Sequence, residues 1–152
     1  MKRLIPILLL LVVSSAIGGT DVITIKAVEA RLFYHHTGTL SEPITGNESL
    51  WNTVIGEGAA KEPSTALLVD VVVSGPAGDY RTTWKVELEV HDETNNKIID
   101  RRSAEVGVLS ASGLFHVPFW LENTGCQRLK IRARVKGSSK WTETVVPFAC
   151  GE

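Results

Sequence analysis

One apolar stretch decides the fold of this chain, and it runs Ala66-Leu67-Leu68-Val69-Asp70-Val71-Val72-Val73. Pro63 precedes it and Gly75-Pro76 follows it, and such boundaries are typical of a buried strand. Because both parities are apolar, the strand needs cover on both faces or a place at the centre of a sheet. Asp70 is its only charge, and we expect that carboxylate to reach the sheet surface or to be held by a partner such as an arginine.

The length and composition of the chain indicate one globular domain. Its 152 residues are 43% hydrophobic and 22% charged, and the formal net charge is −1. A charge so close to zero favours neither nucleic acid nor an anionic membrane surface as a partner. Any role for charge must therefore come from a local cluster.

The N-terminus has the pattern of a signal peptide. Met1-Lys2-Arg3 is basic, the next residues are apolar, and Ala16-Ile17-Gly18 ends the segment with small residues. The apolar run is shorter than the roughly 20 residues of a membrane span, and no cysteine lies near its end to carry a lipid. We predict a signal peptide over residues 1–18, cut after Gly18, and one mature domain over residues 19–152. This domain has no predicted transmembrane segment and is expected to be periplasmic or secreted.

The chain has two cysteines, Cys126 and Cys150. In an exported protein they can form a single disulfide in the last third of the chain. Closing that loop restricts the unfolded chain and stabilises the folded state by roughly 3–4 kcal/mol. Their spacing is not that of a Cys-x-x-Cys redox pair, so we predict a structural bridge.

Strand signals recur along the mature chain, separated by turns. In residues 81–92 the even-numbered positions, which include Trp84, are mostly apolar, so Trp84 is predicted to point inward. Glu87 and Glu89 have the opposite parity and are predicted to be ordinary solvated surface. Pro118 cannot donate to a ladder, which predicts an edge strand or a bulge at that position. The predicted strands cover residues 20–34, 65–74, 81–92, 97–103 with an irregular continuation to 109, 114–121, 127–135 and 141–148.

The last two strands form the clearest hairpin, with residues 137–140 as its loop. The expected cross-strand pairs are Val135 with Thr142, Ile131 with Val146, and Leu129 with Phe148. In this register Cys126 and Cys150 have opposite parity, so their bridge requires a bulge near Gly125 or a strand end that leaves the ladder. A three-residue loop would place the cysteines opposite each other, but it would mix the apolar and basic faces.

About seven short strands, one bridge and the lack of an amphipathic helix pattern predict an all-β, antiparallel β-sandwich. Residues 113–137, with Phe119-Trp120-Leu121 at the end of one strand, are similar to the last strands of immunoglobulin-like or fibronectin-type sandwiches. The Cys-Trp-Cys spacing of antibody domains is missing. Residues 37–41 and 50–58 resemble small secreted bacterial proteins, a resemblance that implies no activity.

The candidate side chains form no pattern for catalysis or metal binding. His35 and His36 are adjacent and on a strand would point to opposite faces, while His91 and His116 lack a second ligand at a suitable spacing. Residues 92–96 lack the spacing of a calcium loop and predict a turn. Motifs for activated nucleophiles and phosphate binding are missing. We predict no catalytic residue, no metal site and no cofactor.

A basic stripe is the strongest charge feature. It consists of Arg128, Lys130, Arg132, Arg134 and Lys136. Strand spacing places these cations on one face over roughly 27 Å. The stripe could bind phosphates, sulfated sugars or acidic envelope polymers. Alternatively, its cations pair with acidic neighbours on the same sheet, such as Glu143.

The long connection over residues 44–63 contains Trp51, a candidate partner contact, because an aromatic residue on a partly polar loop has less reason to lie in the core than Trp84. Alternatively, the connection folds back and uses Trp51, Val54 and Ile55 to plug the end of the sandwich. A connection of this length is usually functional or contains a short helix or strand.

These features favour an exported, non-enzymatic binding or accessory module, acting as a monomer or weak oligomer on an envelope protein or polysaccharide and not on nucleic acid. The alternative is a structural or assembly protein that adds a strand at its N-terminal strand or at the Pro118 edge. A hydrolase is the least favoured of the three hypotheses, because the sequence shows no catalytic constellation.

Overall fold

The computed structural model describes residues 22–151 as ten strands and one short helix. The strands are β1 (Thr24–Tyr34), β2 (Thr39–Leu40), β3 (Leu50–Trp51), β4 (Ala66–Ser74), β5 (Lys85–Asp92), β6 (Ile98–Glu105), β7 (Leu114–Glu122), β8 (Leu129–Val135), β9 (Thr142–Val146) and β10 (Phe148–Ala149), and a 3-10 helix covers Thr53–Ile55. The first sheet has the order β2-β1-β4-β7 and the second sheet the order β6-β5-β8-β9, both antiparallel, while β3 and β10 form a small parallel pair. The predicted all-β, antiparallel β-sandwich is confirmed.

Strand β4 lies inside the first sheet, paired with β1 on one side and with β7 on the other. One parity of β4 faces the second sheet, and Leu67, Val69, Val71 and Val73 are fully buried there. On the opposite parity, Val72 is still only 6% exposed, while Leu68, Asp70 and Ser74 are half-buried. The prediction of a central strand with apolar residues on both faces is therefore confirmed.

The second sheet supplies the other half of the core. Val86, Leu88 and Ile131 are at most 1% exposed, as expected for alternating strands with one buried face. Trp84 is 8% exposed, which confirms its inward position. Strand β5 begins only after it, because the amide of Trp84 closes a turn by donating to the carbonyl of Arg81 at 3.0 Å.

Strand β1 contains a bulge that reverses its inward parity. The ladder with β4 pairs Ile25 with Val73 and then Ala27 with Val72, so Lys26 is the extra residue. Before the bulge the odd-numbered Ile23 and Ile25 pack on the core, whereas after it the even-numbered residues do. This reversal is the physical reason for the weak alternation of the segment.

The edge position of Pro118 on β7 is confirmed by the hydrogen-bond pattern. The amide of Gly75 donates to the carbonyl of Gly113, so odd-numbered residues of β7 bond toward β4. Even-numbered residues, Pro118 included, face the free side, where a missing N–H costs no ladder bond. On that side, a guanidinium N–H of Arg102 from β6 donates to the carbonyl of Trp120. A proline and an occupied carbonyl thus blunt this edge.

Residues 44–63, which we call the end plug, close one end of the sandwich. The plug contains both β3 and the 3-10 helix, so the long connection does hide short elements. Its Leu50 is 3% exposed and pairs in register with Phe148 of β10, while Thr53 is fully buried. The amide of Ile44 donates to the carbonyl of Ala30 in β1 at 2.8 Å.

The register of the last hairpin differs from the predicted one by two residues. The observed pairs are Leu129 with Val146, Ile131 with Thr144, and Ala133 with Thr142. The predicted register was wrong because it assumed a loop over residues 137–140, whereas the amide of Ser138 donates to the carbonyl of Val135 and the ladder ends at Ala133 and Thr142. In addition, Phe148 leaves this ladder after Pro147 and pairs with Leu50. An even shift preserves the faces of the strands, so the predicted apolar and basic faces are unchanged.

The predicted disulfide between Cys126 and Cys150 is present. It forms because Cys150 follows β10, after the chain has left the ladder of β8 and β9. Within residues 22–151 we find no helix of the length and hydropathy required to cross a membrane. The predicted signal peptide over residues 1–18 lies outside the described residues.

Deleting Lys26 tests the role of the bulge. Without the extra residue, Ile23 and Ile25 would turn to the outer face, and we expect the free energy of unfolding to fall by about 3 kcal/mol, the burial of one to two aliphatic side chains. The variant Lys26→Ala keeps the bulge and should unfold within about 0.5 kcal/mol of the wild type in urea. Equal stability of the deletion and the substitution would contradict this role.

Candidate functional site

The outer face of the second sheet carries the densest cluster of fixed polar side chains. We call it the charged face, and it comprises Glu87, Glu89, His91, Arg101, Arg132, Arg134 and Trp141. The pairing of β5 with β8 sets Glu87 directly opposite Arg134 and Glu89 directly opposite Arg132. Opposite charges at directly paired positions attract each other, so the register builds the cluster.

Three cations of the basic stripe are held by carboxylates of β5 or of the turn that follows it. Nε of Arg134 lies 2.8 Å from Oε2 of Glu87. Nε of Arg132 lies 2.9 Å from Oε2 of Glu89. Nε of Arg128 lies 2.6 Å from a carboxylate oxygen of Glu93. The alternative in which the stripe pairs with acidic neighbours therefore describes this surface.

The other predictions about the stripe have mixed outcomes. Glu143 lies opposite Arg132 in the ladder of β8 and β9, but it makes no ion pair within residues 22–151, so it was the wrong acidic partner. The ammonium of Lys130 donates to the side-chain oxygen of Asn96. Lys136 lies exposed at the start of the hairpin loop. Binding of anions by the stripe stays a prediction.

Glu89 is the hub of the charged face. Its side chain is 13% exposed and contacts Arg132, Arg101 at 3.1 Å and His91 at 3.1 Å. Burial raises the pKa of the Glu89 carboxyl, but the hydrogen bonds from Arg132 and His91 and the positive charges of Arg132 and Arg101 outweigh it and hold that pKa below its usual value. The prediction that Glu89 is ordinary solvated surface was wrong, because the arginines of β6 and β8 close over it.

His91 is the buried partner of Glu89 in the hub. Its side chain is only 3% exposed. Nε2 lies 3.1 Å from the carboxylate of Glu89, and Nδ1 lies 3.2 Å from the carbonyl oxygen of Asn96. Each ring nitrogen therefore has an oxygen of a different segment within hydrogen-bond distance. The imidazole thereby ties the hub to the turn between β5 and β6.

Trp141 covers two arginines of the stripe. Its ring centroid lies 4.4 Å from the guanidinium carbon of Arg132 and 4.5 Å from that of Arg134, within cation–π distance. Trp141 stands one position beyond the last pair of the β8 and β9 ladder, next to Arg134. Our sequence reasoning gave Trp141 no role. The predicted register already placed it on the basic face, opposite Lys136, and the observed register brings it to Arg134.

The charged face can present a flat aromatic ring with hydrogen-bonding groups beside it. Both guanidinium groups are held by carboxylates before any partner arrives. Preorganised arginine and tryptophan side chains are the types that contribute most to binding energy at protein interfaces. No protein-family model and no curated protein matches this chain.

Trp51, the predicted partner contact, lies in the end plug and not on the charged face. Its side chain is 44% exposed, and nearby in the sequence Ile55 is 62% exposed. The backbone of Trp51 pairs with Ala149, and its ring packs against Gly151, where an added Cβ would lie 2.5 Å from a ring carbon. The backbone of Trp51 is thus part of the end plug, as the plug interpretation predicted, while the residue itself remains 44% exposed.

The remaining titratable candidates lie in small local contacts. Asp70 is held by His116, with Oδ2 and Nδ1 2.6 Å apart, so its partner is a histidine and not an arginine. Asp92 accepts the amide of Thr94 in the predicted turn, and this bond chiefly lowers the pKa of the Asp92 carboxyl. Within residues 22–151, no group of three or more His, Cys, Asp or Glu side chains is placed to hold a metal ion.

Heparin retention tests whether the carboxylates mask the basic stripe. In the double variant Glu87→Gln and Glu93→Gln, Arg134 and Arg128 lose their counter-charges, so we expect elution at a higher salt concentration than for the wild type. Replacing Arg132 and Arg134 by Ser in the wild type should change its weak retention little. Strong wild-type retention that this arginine double variant abolishes would show that the stripe binds anions despite its ion pairs.

The hub predicts a pH-dependent contribution of Glu89 to stability. Because the pKa of Glu89 is lower in the folded state, its contribution is complete above the unfolded value of about 4.3 and is lost as the pH falls through the folded value. We expect Glu89→Gln to lower the free energy of unfolding by about 1–3 kcal/mol at pH 7, with a gap that shrinks toward pH 3 in urea titrations.

The matched control for this experiment is Glu105→Gln. Glu105 also faces a cation, Lys85 at 3.3 Å, but its side chain is 70% exposed. An exposed pair contributes little, so this variant should unfold within about 0.5 kcal/mol of the wild type at both pH values. A gap for Glu89→Gln that stays constant with pH would contradict the assignment of the hub.

Proposed function

We propose that this protein is an exported, non-enzymatic binding module and that the charged face is its contact surface. The observation that carries the proposal is the ring of Trp141, held over Arg132 and Arg134 while Glu89 and Glu87 fix both guanidinium groups. Side chains that are already ordered lose little conformational entropy when a partner binds. Their order supports recognition at this face.

The near-neutral charge of the face supports one kind of partner over another. Arg128, Arg132 and Arg134 each have a carboxylate partner, so a polyanion would compete with glutamates for every one of them. Stacking on Trp141 and hydrogen bonding beside it suit a protein surface or the hydroxyl groups of a polysaccharide. We therefore propose an envelope protein or polysaccharide, and not a nucleic acid, as the partner.

An extracytoplasmic location is part of the proposal. The disulfide between Cys126 and Cys150 suits an oxidising compartment, since such bridges are rare in the cytosol. The basic and apolar pattern of residues 1–18 supports export by a cleaved signal peptide. A binding module exposed outside the cytoplasm would meet envelope polymers directly.

Binding by side chains is favoured over the addition of a strand. The free edge of β7 offers no N–H at Pro118, and Arg102 occupies the carbonyl of Trp120, so an incoming strand would find an interrupted ladder. Along the second half of β1, the amides of Ser41 and Ile44 already bond to its outward carbonyls. Neither feature supports the assembly hypothesis.

A capture experiment tests the proposal. The mature chain, residues 19–152, is immobilised and exposed to an envelope extract, with and without prior protease treatment to distinguish protein from polysaccharide partners. We expect Trp141→Ala to reduce capture at least tenfold, because it removes the ring from the centre of the surface.

The control is Arg128→Ser, a residue of the same stripe with an equivalent ion pair but without contact to Trp141. It should capture as well as the wild type, and both variants should give wild-type circular dichroism. Undiminished capture by folded Trp141→Ala would contradict the charged face as the contact surface. Loss of capture in Trp51→Ala alone would move the contact to the end plug.

A further inference from the structure

A groove opens between the two sheets at the side where β1 begins. One wall is the start of β1, and the other is the tip of the hairpin formed by β8 and β9. The groove has a volume of about 350 Å³. We call it the side groove, and its lining residues are Val22, Ile23, Thr24, Ile25, Val135, Lys136, Gly137, Ser138, Lys140 and Thr142. It shares no residue with the charged face.

The floor of the side groove and the wall formed by the start of β1 are largely apolar, whereas the hairpin wall is mostly polar. Ile23 is 2% exposed, and Ile25 and Val135 pack partly buried against the core. The bulge at Lys26 is what turns Ile25 toward the interior, where it lines the groove with Val135. Val22, also in the lining, is 62% exposed, so the apolar surface continues out to solvent.

Two uncompensated cations line the same groove. Lys136 and Lys140 are exposed, and neither side chain makes an ion pair within residues 22–151. Among the described residues that line the groove, none carries a carboxylate. This is the opposite of the charged face, where each arginine of the stripe has a glutamate partner. An apolar slot with two free ammonium groups is complementary to a ligand with an apolar body and an anionic end.

The hairpin wall is held in place without a ligand. The amide of Lys136 donates to the carbonyl of Lys85 at 2.9 Å, and the amide of Ser138 donates to the carbonyl of Val135 at 2.9 Å. The amide of Lys140 donates to Oγ of Ser138 at 3.1 Å. The side groove is therefore preformed, as ligand sites usually are.

We propose that the side groove binds a free medium-chain fatty acid, with the acyl chain along Ile25 and Val135 and the carboxylate between Lys136 and Lys140. The open groove of about 350 Å³ offers room for a single acyl chain. A small anion would leave the apolar floor and wall in water, and a neutral chain would leave both ammonium groups without a counter-charge.

Calorimetric titration of the mature chain, residues 19–152, with dodecanoate below its micellar concentration tests the proposal. We expect one site per chain. Removing two methylenes, as in decanoate, should weaken binding roughly tenfold. Replacing the carboxylate by a hydroxyl, as in 1-decanol compared with decanoate, should also weaken it roughly tenfold or more. Equal binding of acetate would overturn the proposal by showing a site for anions alone.

Variants locate the site. Lys136→Ser with Lys140→Ser should weaken dodecanoate binding at least tenfold, whereas Lys61→Ser with Lys97→Ser removes two exposed lysines elsewhere and should change nothing. Val22→Asp places a negative charge at an exposed wall position that tolerates substitution, and it should weaken binding by a similar factor. Unchanged binding in both groove variants, or no binding by the wild type, would overturn the proposal. Trp141→Ala should bind dodecanoate normally, so failure of the contact surface and failure of the groove are distinguishable.

Discussion

The burial of β4, under the second sheet on its inner face and between β1 and β7 along its two edges, is the constraint on which the other elements depend. Its inner parity, from Leu67 to Val73, requires the second sheet as a cover. Its outer parity, which includes Val72, requires β1 and β7 as close neighbours on either side. Strand β7 then becomes a sheet edge, and Arg102 reaches across to it from the edge of the second sheet. Asp70 interrupts the apolar strand, and His116 contacts one of its carboxylate oxygens, while the other oxygen, Oδ1, is buried without a partner among the described residues.

Much of this fold follows from local patterns. The strands, the inward Trp84 and the edge position of Pro118 follow from alternation and from the missing N–H of proline, which depend on neighbouring residues only. The bulge at Lys26 has no such signature, because any residue can be the extra one and its effect is seen only where the parity changes. The hairpin register failed for a different reason, since the true partner of Phe148 is Leu50, far earlier in the chain.

The candidate site likewise has some features that follow from local sequence patterns and others that depend on long-range pairing. The basic stripe was visible, because five cations at every second position of one strand form a local pattern. Its counter-charges were not, since Glu87 and Glu89 face the stripe only through the register between β5 and β8. Burial of Glu89 depends further on Arg101 from β6. The two-residue error in register left Trp141 on the basic face but set it opposite Lys136 and not Arg134. The pairing register between strands that are distant in the sequence thus determines which of these charged residues contact each other on the surface.

The parallel pair of β3 and β10 joins an early segment of the chain to a late one, so this end of the sandwich closes late in synthesis. Leu50 is synthesised long before its partner Phe148 in β10. Until Phe148 is in place, Leu50, which is 3% exposed in the folded chain, lacks this partner. A chain that ends before β10 would therefore keep this end open and protease-sensitive however well its two sheets had formed. The bridge from Cys150 to Cys126 locks the end once the chain has reached Cys150.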